Sequence, residues 1–424
     1  MTKMKLKIPF SPPDMSEEEA KEVRDAILSG WITTGPRTKK LEAQISEYVG
    51  TVKTVCLSSA TAAMEMVLHL LNVQPEDEVI VPAYTYTATA SVTQHVGCRL
   101  VMVDSQKDHV EMDYEQLEQA ITERTKVIIP VDIAGIVADY DRVYEIVERK
   151  KNLFRPANAL QAKIGRIVVV ADCAHAFGAV RKGRMAGAIA DFSAFSFHAV
   201  KNFTTAEGGA LTWQLPFGNE IVPTDIDYMP TVPKIEGETW NEMLYRISQL
   251  FSLHGQNKDA LAKTKVGMWE YDIIGPWYKC NMTDIMASLG LVQMLRYPKM
   301  LERRQQIVAR YNAALDGLNV VILNHKDAEH CSSHHLYMVR LPGKSREEVN
   351  RVMEQMAERG IATNVHFKPL PMMTAYKALG FDIADYPNAY HLFENEITLP
   401  LYTRLTDEEV DYVITNFVDV IRNL

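Results

Sequence analysis

The sequence predicts an α/β protein: a large domain with a mostly parallel sheet sandwiched by helices, followed by a smaller C-terminal α+β domain. Three observations carry this. Between about residues 52 and 213, short runs rich in Val and Ile alternate with helix-length segments. Those runs are almost continuously apolar, as expected of strands buried on both faces. Past about residue 319 the order becomes strand, helix, strand, helix, which suits a second, smaller unit. The 424 residues, 47% hydrophobic and 23% charged, are enough for two cores.

In chain order, the first helix is announced by Ser16-Glu17-Glu18-Glu19, a hydroxyl cap followed three residues later by a carboxylate. Gly30 stops it, and Ala20, Val23 and Ile27 share one face. The strand runs are Val52–Leu57, Glu78–Val81, Arg99–Val103, Val127–Val131, Ile167–Ala171 and Phe192–Phe197. Helices are expected at Ala60–Leu71, Tyr114–Arg124 and Tyr140–Lys150. From about 214 to 270 the rhythm is lost, and Pro216, Pro223, Pro230 and Pro233 predict loops forming a substrate-side excursion. A long helix should then run from Thr283 toward Leu318, with Pro298 a kink or boundary. The rest reads as strand His335–Leu341, helix Ser345–Arg359, strand Ala362–His366 and helix Asp407–Arg422. The domains divide as 1–280 and 281–424.

A net charge of −9 and a pI near 5.8 argue against broad attraction to nucleic acid or an acidic membrane. Cys56, Cys98, Cys173, Cys280 and Cys331 are scattered and form no CxxC pair, so neither a disulfide framework nor a metal site is expected. The opening MTKMKLKIPFSPPD lacks the apolar core of a signal peptide. No apolar run approaches the ~20 residues of a membrane helix. A cytoplasmic location is expected.

Four segments can carry chemistry. Asp172, in Ala171-Asp172-Cys173-Ala174-His175-Ala176-Phe177-Gly178, lies at the carboxyl end of a buried strand, where α/β sheets bind ligands. It either caps the next helix or pairs with a cationic ring nitrogen. Lys201, in Phe195-Ser196-Phe197-His198-Ala199-Val200-Lys201-Asn202, is either a solvated charge or an amine kept neutral and nucleophilic by burial. Gly208 and Gly209 let the backbone turn tightly close by. The turn Ser58-Ser59-Ala60-Thr61 is an ordinary helix cap or a phosphate cradle of N–H and hydroxyl groups. In Tyr84-Thr85-Tyr86, an aromatic ring either packs or stacks on a flat ligand. Adjacent His334 and His335 point different ways and lack a partner at metal spacing, so they are structural or substrate-facing. Neither GxxxxGK[ST], GxGxxG nor GxSxG is present.

Taken in order, these segments resemble the DegT-type family of sugar aminotransferases, which depend on pyridoxal 5′-phosphate (PLP) and have the aspartate-aminotransferase-like fold type I. The resemblance opens at Ser29-Gly30-Trp31-Ile32-Thr33-Thr34-Gly35-Pro36 and passes through Ser59-Ala60-Thr61-Ala62-Ala63. It peaks over Ala171–Gly178 and Asp191–Gly209. It resumes at His254-Gly255, Asn281-Met282-Thr283-Asp284-Ile285 and Asn364-Val365-His366-Phe367-Lys368-Pro369-Leu370. It implies Lys201 as the Schiff-base lysine and proton shuttle, and Asp172 as partner of the pyridine nitrogen. His175 would sit beside the ring and Tyr86 would stack on it. Ser59, Ala60, Thr61 and Ser196 would hold the phosphate, with Asn281 reaching it from the other subunit of a homodimer with shared active sites. Thr34, Arg37, Lys39, His366 and Lys368 are the candidates for substrate contact. The substrates implied are L-glutamate and a nucleotide-linked keto-sugar, in polysaccharide biosynthesis such as that of lipopolysaccharide. The rivals are a PLP- or pyridoxamine-dependent sugar dehydratase, in which a histidine replaces the lysine, and a catalytically silent PLP-binding regulator. Ala60 where the family usually has Gly, Cys173 for a frequent Ala, and Cys280 for an aromatic or Arg are departures.

Overall fold

Continuous Val/Ile runs can bury both faces of a strand, and five strands of the large sheet have every residue buried. The computed structural model describes residues 6–226, 228–257 and 270–424. Residues 1–5 of the opening and 258–269 of the Pro-rich excursion lie outside the described residues. The first five strands are β1 (Thr54–Leu57), β2 (Glu78–Pro82), β3 (Arg99–Val103), β4 (Thr125–Ile128) and β5 (Val168–Asp172). A small hairpin of β6 (Val180–Arg181) and β7 (Arg184–Met185) precedes β8 (Phe192–Ser196) and β9 (Gly209–Trp213). The large sheet has the order β1-β9-β8-β5-β4-β2-β3. All its neighbours pair in parallel except β9, which runs against both β1 and β8.

The sequence reading missed β9. Its double glycine suggests a turn, and an antiparallel neighbour of β8 needs no helix to reach it, so the β-α rhythm that marks the other strands is absent. Gly209 is nonetheless in register with Leu57 and Ser196.

Helices α1 (Glu17–Ser29), α2 (Pro36–Val49), α3 (Ala60–Leu70), α4 (Thr87–Val96), α5 (Tyr114–Ala120), α6 (Tyr140–Arg149) and α7 (Ala159–Ile164) belong to this part of the chain. The capping box of Ser16 and Glu19 forms as expected. Helix α2 was not expected, because its cap is remote. Gly35 offers no side chain, and Asp284 instead accepts from the N–H groups of Gly35 (2.8 Å), Arg37 (3.1 Å) and Thr38 (2.9 Å). The stretch expected to be loops holds α8 (Trp240–Ser252), capped by Thr239 and Glu242. Trp240, Leu244, Ile247 and Phe251 recur at helical spacing and are buried. The prolines that suggested loops all lie upstream of this helix.

Helix α9 (Asp284–Leu315) runs for 32 residues straight through Pro298, which is neither its end nor a boundary between two helices. Its length packs against α1 and α2, and Tyr297 and Met300 on either side of the proline are buried. Tertiary packing outweighs the one lost hydrogen bond. A second sheet has the order β10 (Val321–Ile322), β12 (Tyr337–Arg340), β13 (Glu396–Leu399), all antiparallel, while β11 (His330–Cys331) joins β6. The strand expected at 362–366 reduces to a bridge between Asn364 and Thr398. Helices α10 (Arg346–Glu358), α11 (Thr374–Ala378), α12 (Pro387–Glu394) and α13 (Asp407–Arg422) complete the chain. Ile307, Tyr311, Tyr337, Val352 and Phe417 form part of a separate apolar cluster there. No described helix is long and apolar enough to cross a membrane.

Candidate active site

Strand β5 ends at Asp172, whose side chain faces the cleft and is 4% exposed. Its Oδ2 accepts a hydrogen bond from Thr89 Oγ1 at 2.7 Å, and Oδ1 accepts from Ala174 N–H at 3.1 Å. Thr85 and Thr89 hydroxyls are 2.8 Å apart. Burial pushes the Asp172 carboxyl up; the Thr89 and Ala174 bonds and the Lys201 charge pull the other way. Lys201 follows β8 and lines the same cleft. Burial brings its amine down to about 8, opposed by the Asp172 charge. A fraction of unprotonated, nucleophilic amine at neutral pH is the consequence.

The floor of the cleft is the start of α3. Ser59 caps it, its Oγ accepting from Ala62 N–H at 3.0 Å. The N–H groups of the first helical turn have no intrahelical partners, so an eleven-residue helix begins here with donors suited to an anion. Gly209 lies directly beneath: a Cβ there would run into the backbone of Ser59 and Ala60. Ser196 lines the same wall.

His175 is wedged between rings, 4.4 Å from the His335 centroid and 5.9 Å from that of Phe367. Its Nδ1 accepts from Ala134 N–H at 3.3 Å, which places its proton on Nε2. Burial first, then Lys201 and His366, hold it far below the usual imidazole range. His335 donates from Nδ1 to Asn202 Oδ1 at 2.8 Å, the amide being fixed by its bond to Ser333 O at 2.7 Å. Tyr86 stands at the mouth, 62% exposed and 6.1 Å from the Phe367 ring.

The cleft brings together Ser59, Ala60, Thr61, Tyr86, Asp172, His175, Ser196, Lys201 and His366. Thr34, Arg37, Lys368 and Asn281 are not among the residues that line it within one chain. Asn281 Nδ2 donates to Thr34 Oγ1 at 2.6 Å, Arg37 pairs with Glu22 at 2.8 Å, and Lys39 is held by Tyr245 and Gln249. Sequence reasoning missed Thr89, whose partner is 83 residues away, and left His335 open. It also missed Phe10, Ser11, His198, Glu207 and Phe367 on the walls. A carboxylate, a buried amine and an anion cradle in one cleft fit pyridoxal phosphate: ring nitrogen, carbonyl and phosphate each find their chemical complement.

The profile of the DegT/DnrJ/EryC1/StrS aminotransferase family matches residues 13–418. An uncharacterised protein of Methanocaldococcus jannaschii is 36% identical over 413 residues, covering 96% of each chain. The spore coat polysaccharide biosynthesis protein SpsC of Bacillus subtilis is 33% identical over 423 residues, covering 98% of this chain and 97% of that one. Among solved structures, Spr1654 of Streptococcus pneumoniae, a protein assigned as a sugar aminotransferase, is similar in its PMP-form with 56% identity and a TM-score of 0.90. That match covers 98% of this chain and 99% of the other; the PLP-form matches with 55% identity and a TM-score of 0.89, covering 99% of each.

Proposed function

The chain belongs to the DegT/DnrJ/EryC1/StrS aminotransferase family, and from that premise we propose that it moves an amino group from L-glutamate onto the keto carbon of a nucleotide-linked sugar. Pyridoxal phosphate is the cofactor, and when bound it supplies an electron-accepting ring that stabilises charge at the carbon next to the transferred nitrogen. The observation that carries the reading is that Lys201 and the buried Asp172 line one cleft and feel each other's charge.

Each residue then has a task. Asp172, steadied by Thr89, keeps a negative charge where a cationic ring nitrogen needs one. Lys201 carries the proton between the reacting carbon and its own Nζ, for which an amine near 8 is well matched. Ser59, Ala60, Thr61 and Ser196 hold the phosphate, and Tyr86 covers the ring. His175, neutral in this setting, donates from Nε2 without adding charge. Asn281 of a second copy reaches the phosphate in a homodimer with shared sites. Thr34, Arg37, His366 and Lys368 then contact the sugar nucleotide. The description of Spr1654 in both PLP- and PMP-forms supports a cycle that alternates between the two. The polysaccharide role in the name of SpsC supports a sugar acceptor.

The test begins with colour. Purified protein with pyridoxal phosphate should absorb in the visible, and glutamate should bleach it. Borohydride should fix the cofactor to the peptide containing Lys201. Lys201→Ala should lose the band and at least ~10³-fold in turnover, as expected when a covalent catalyst is removed. UDP-, dTDP- and GDP-linked keto-sugars should then be assayed with glutamate, expecting ping-pong kinetics for one of them. Bound cofactor that no amino donor ever converts would overturn the reading.

A further inference from the structure

Behind His366 lies a chain of hydrogen bonds to Thr398 and Glu396 that the reaction as described does not use. His366 lines the cleft, its ring stacked on Phe10 at 5.6 Å and edge-on to Phe367 at 5.1 Å. Its Nδ1 lies 2.9 Å from Thr398 Oγ1, and that hydroxyl lies 2.5 Å from Glu396 Oε1. The other carboxylate oxygen, Oε2, accepts the backbone N–H of His366 at 2.9 Å. Glu396 is 0% exposed. Glu396 and Thr398 are two apart on β13 and so project from one face of it.

We propose that Glu396 and Thr398 are positioning residues that form a proton relay, setting whether His366 presents a donor or an acceptor to the substrate. The proposal rests on the reading of this cleft as the substrate site.

The polarity of each bond follows from chemistry. A backbone N–H can only donate, so Oε2 always accepts and any proton on Glu396 sits on Oε1. With Glu396 ionised, the Thr398 hydroxyl donates to Oε1 and its oxygen accepts from His366 Nδ1–H. The Nε2 left for the cleft is then a bare lone pair. With Glu396 protonated, Oε1–H donates to Thr398, Thr398 donates to Nδ1, and Nε2 carries the hydrogen. Passage between the states balances. A proton from the cleft bonds to Nε2, the Nδ1 proton passes to Thr398, and the former hydroxyl proton passes to Glu396. One proton enters, none is left over, and the imidazole is neutral at both ends.

The surroundings decide which group titrates. Burial brings Glu396 up to about 8, opposed by its hydrogen bonds to Thr398 and His366 N–H and by Arg346, whereas it brings His366 down to about 3, with Lys201 adding to the fall. Arg346 donates to the Glu396 carbonyl at 2.8 Å. Tyr84, Arg340 and Asp108 line, with Glu396, a small cavity on the far side. Lys201, His175 and His335 face His366 from the cleft. The carboxyl, not the imidazole, therefore loads near neutral pH. Two substrates of opposite demand visit this cleft in turn. A donor's carboxylate needs an N–H, and a sugar hydroxyl can give its hydrogen to a lone pair. One histidine with a switchable face serves both.

The direct test reads the tautomer. In ¹⁵N-histidine-labelled holoenzyme, with His366→Asn identifying the signal, the His366 ring should change from Nε2–H to Nδ1–H as pH rises through about 8. Glu396→Gln can donate only toward Thr398, so it should hold Nε2–H throughout; Thr398→Val should abolish the transition and Thr398→Ser keep it. In the glutamate half-reaction, KM should rise about tenfold from pH 7 to 9, the worth of about one hydrogen bond. In Glu396→Gln it should stay flat, with kcat nearly unchanged in both. A tautomer that ignores pH, or one that still switches in Glu396→Gln, overturns the relay. A switching tautomer with a pH-independent glutamate KM overturns the role in binding. A failure of glutamate to react at all leaves the ring signal as the deciding readout and counts instead against the aminotransferase reading.

Discussion

Asp172 sits in a place where burial pushes a carboxyl up from its ordinary range. Thr89 at 2.7 Å, with Thr85 behind it, the Ala174 N–H on the other oxygen and the Lys201 charge oppose that rise. Thr89→Val keeps the shape and removes the donor. It should weaken the grip on pyridoxal phosphate by about 1–2 kcal/mol, roughly a tenfold rise in Kd, as expected for a buried bond to a charged acceptor. Thr89→Ser should restore most of it. Titrating cofactor against each variant checks this, and an unchanged Kd in Thr89→Val would show that Thr89 only packs. Asp172 and Lys201 were legible because strand ends and small-residue loops leave a local trace. Thr89 was not. It is one threonine among several in Tyr84-Thr85-Tyr86-Thr87-Ala88-Thr89, and only folding brings it to a residue 83 positions away.

Among the elements, β9 and α3 meet where the phosphate cradle is built, and Gly209 is the joint. It is glycine for lack of room, not for a turn: Ser59 and Ala60 backbone atoms occupy the space of its Cβ. Gly209→Ala must push the start of α3 away from the sheet, at a cost of about 1–3 kcal/mol typical of overpacking. Phosphate binding should suffer most. Kd for pyridoxal phosphate should rise at least tenfold while that for phosphate-free pyridoxal changes less than twofold; equal losses for both would mean that the whole cleft had shifted. The same comparison explains which elements the sequence disclosed. Strands flanked by helices, and α1 with its own capping box, carry their signals within themselves. Helix α2 borrows its cap from Asp284, β9 lacks a crossover helix, and α9 continues past Pro298 because its neighbours hold it. In each case the deciding interaction comes from a distant part of the chain.

For the molecule as a whole, folding removes two opposed sets of titratable groups from water. Among the described residues, burial depresses His175, His325, His334, His335 and His366. It raises the carboxyls of Asp132, to about 7, of Glu396, to about 8, and of Asp104 and Asp172. The signs follow from proton counts. Below about 6.5 the unfolded chain protonates histidines that the folded chain keeps neutral, so stability falls as pH falls. Above about 4.5 the unfolded chain releases carboxyl protons that the folded chain retains, so these groups lower stability as pH rises through the range up to about 8. The histidines outnumber the carboxyls and cease to matter above 6.5. Thermal stability of the cofactor-free protein should therefore peak near pH 6.5 and decline toward both pH 4.5 and pH 8. Glu396→Gln removes one carboxyl that opposes folding from about pH 4.5 to 8 and leaves the histidines alone. Its melting temperature should fall less steeply between pH 6.5 and 8, and climb more steeply from pH 4.5 to 6.5, where the unfolded carboxyl is already ionised and the folded one is not. A Glu396→Gln profile parallel to the parent across the whole range would mean that Glu396 ionises as readily folded as unfolded, and the buried carboxyl would lose its part in setting the stability of the fold.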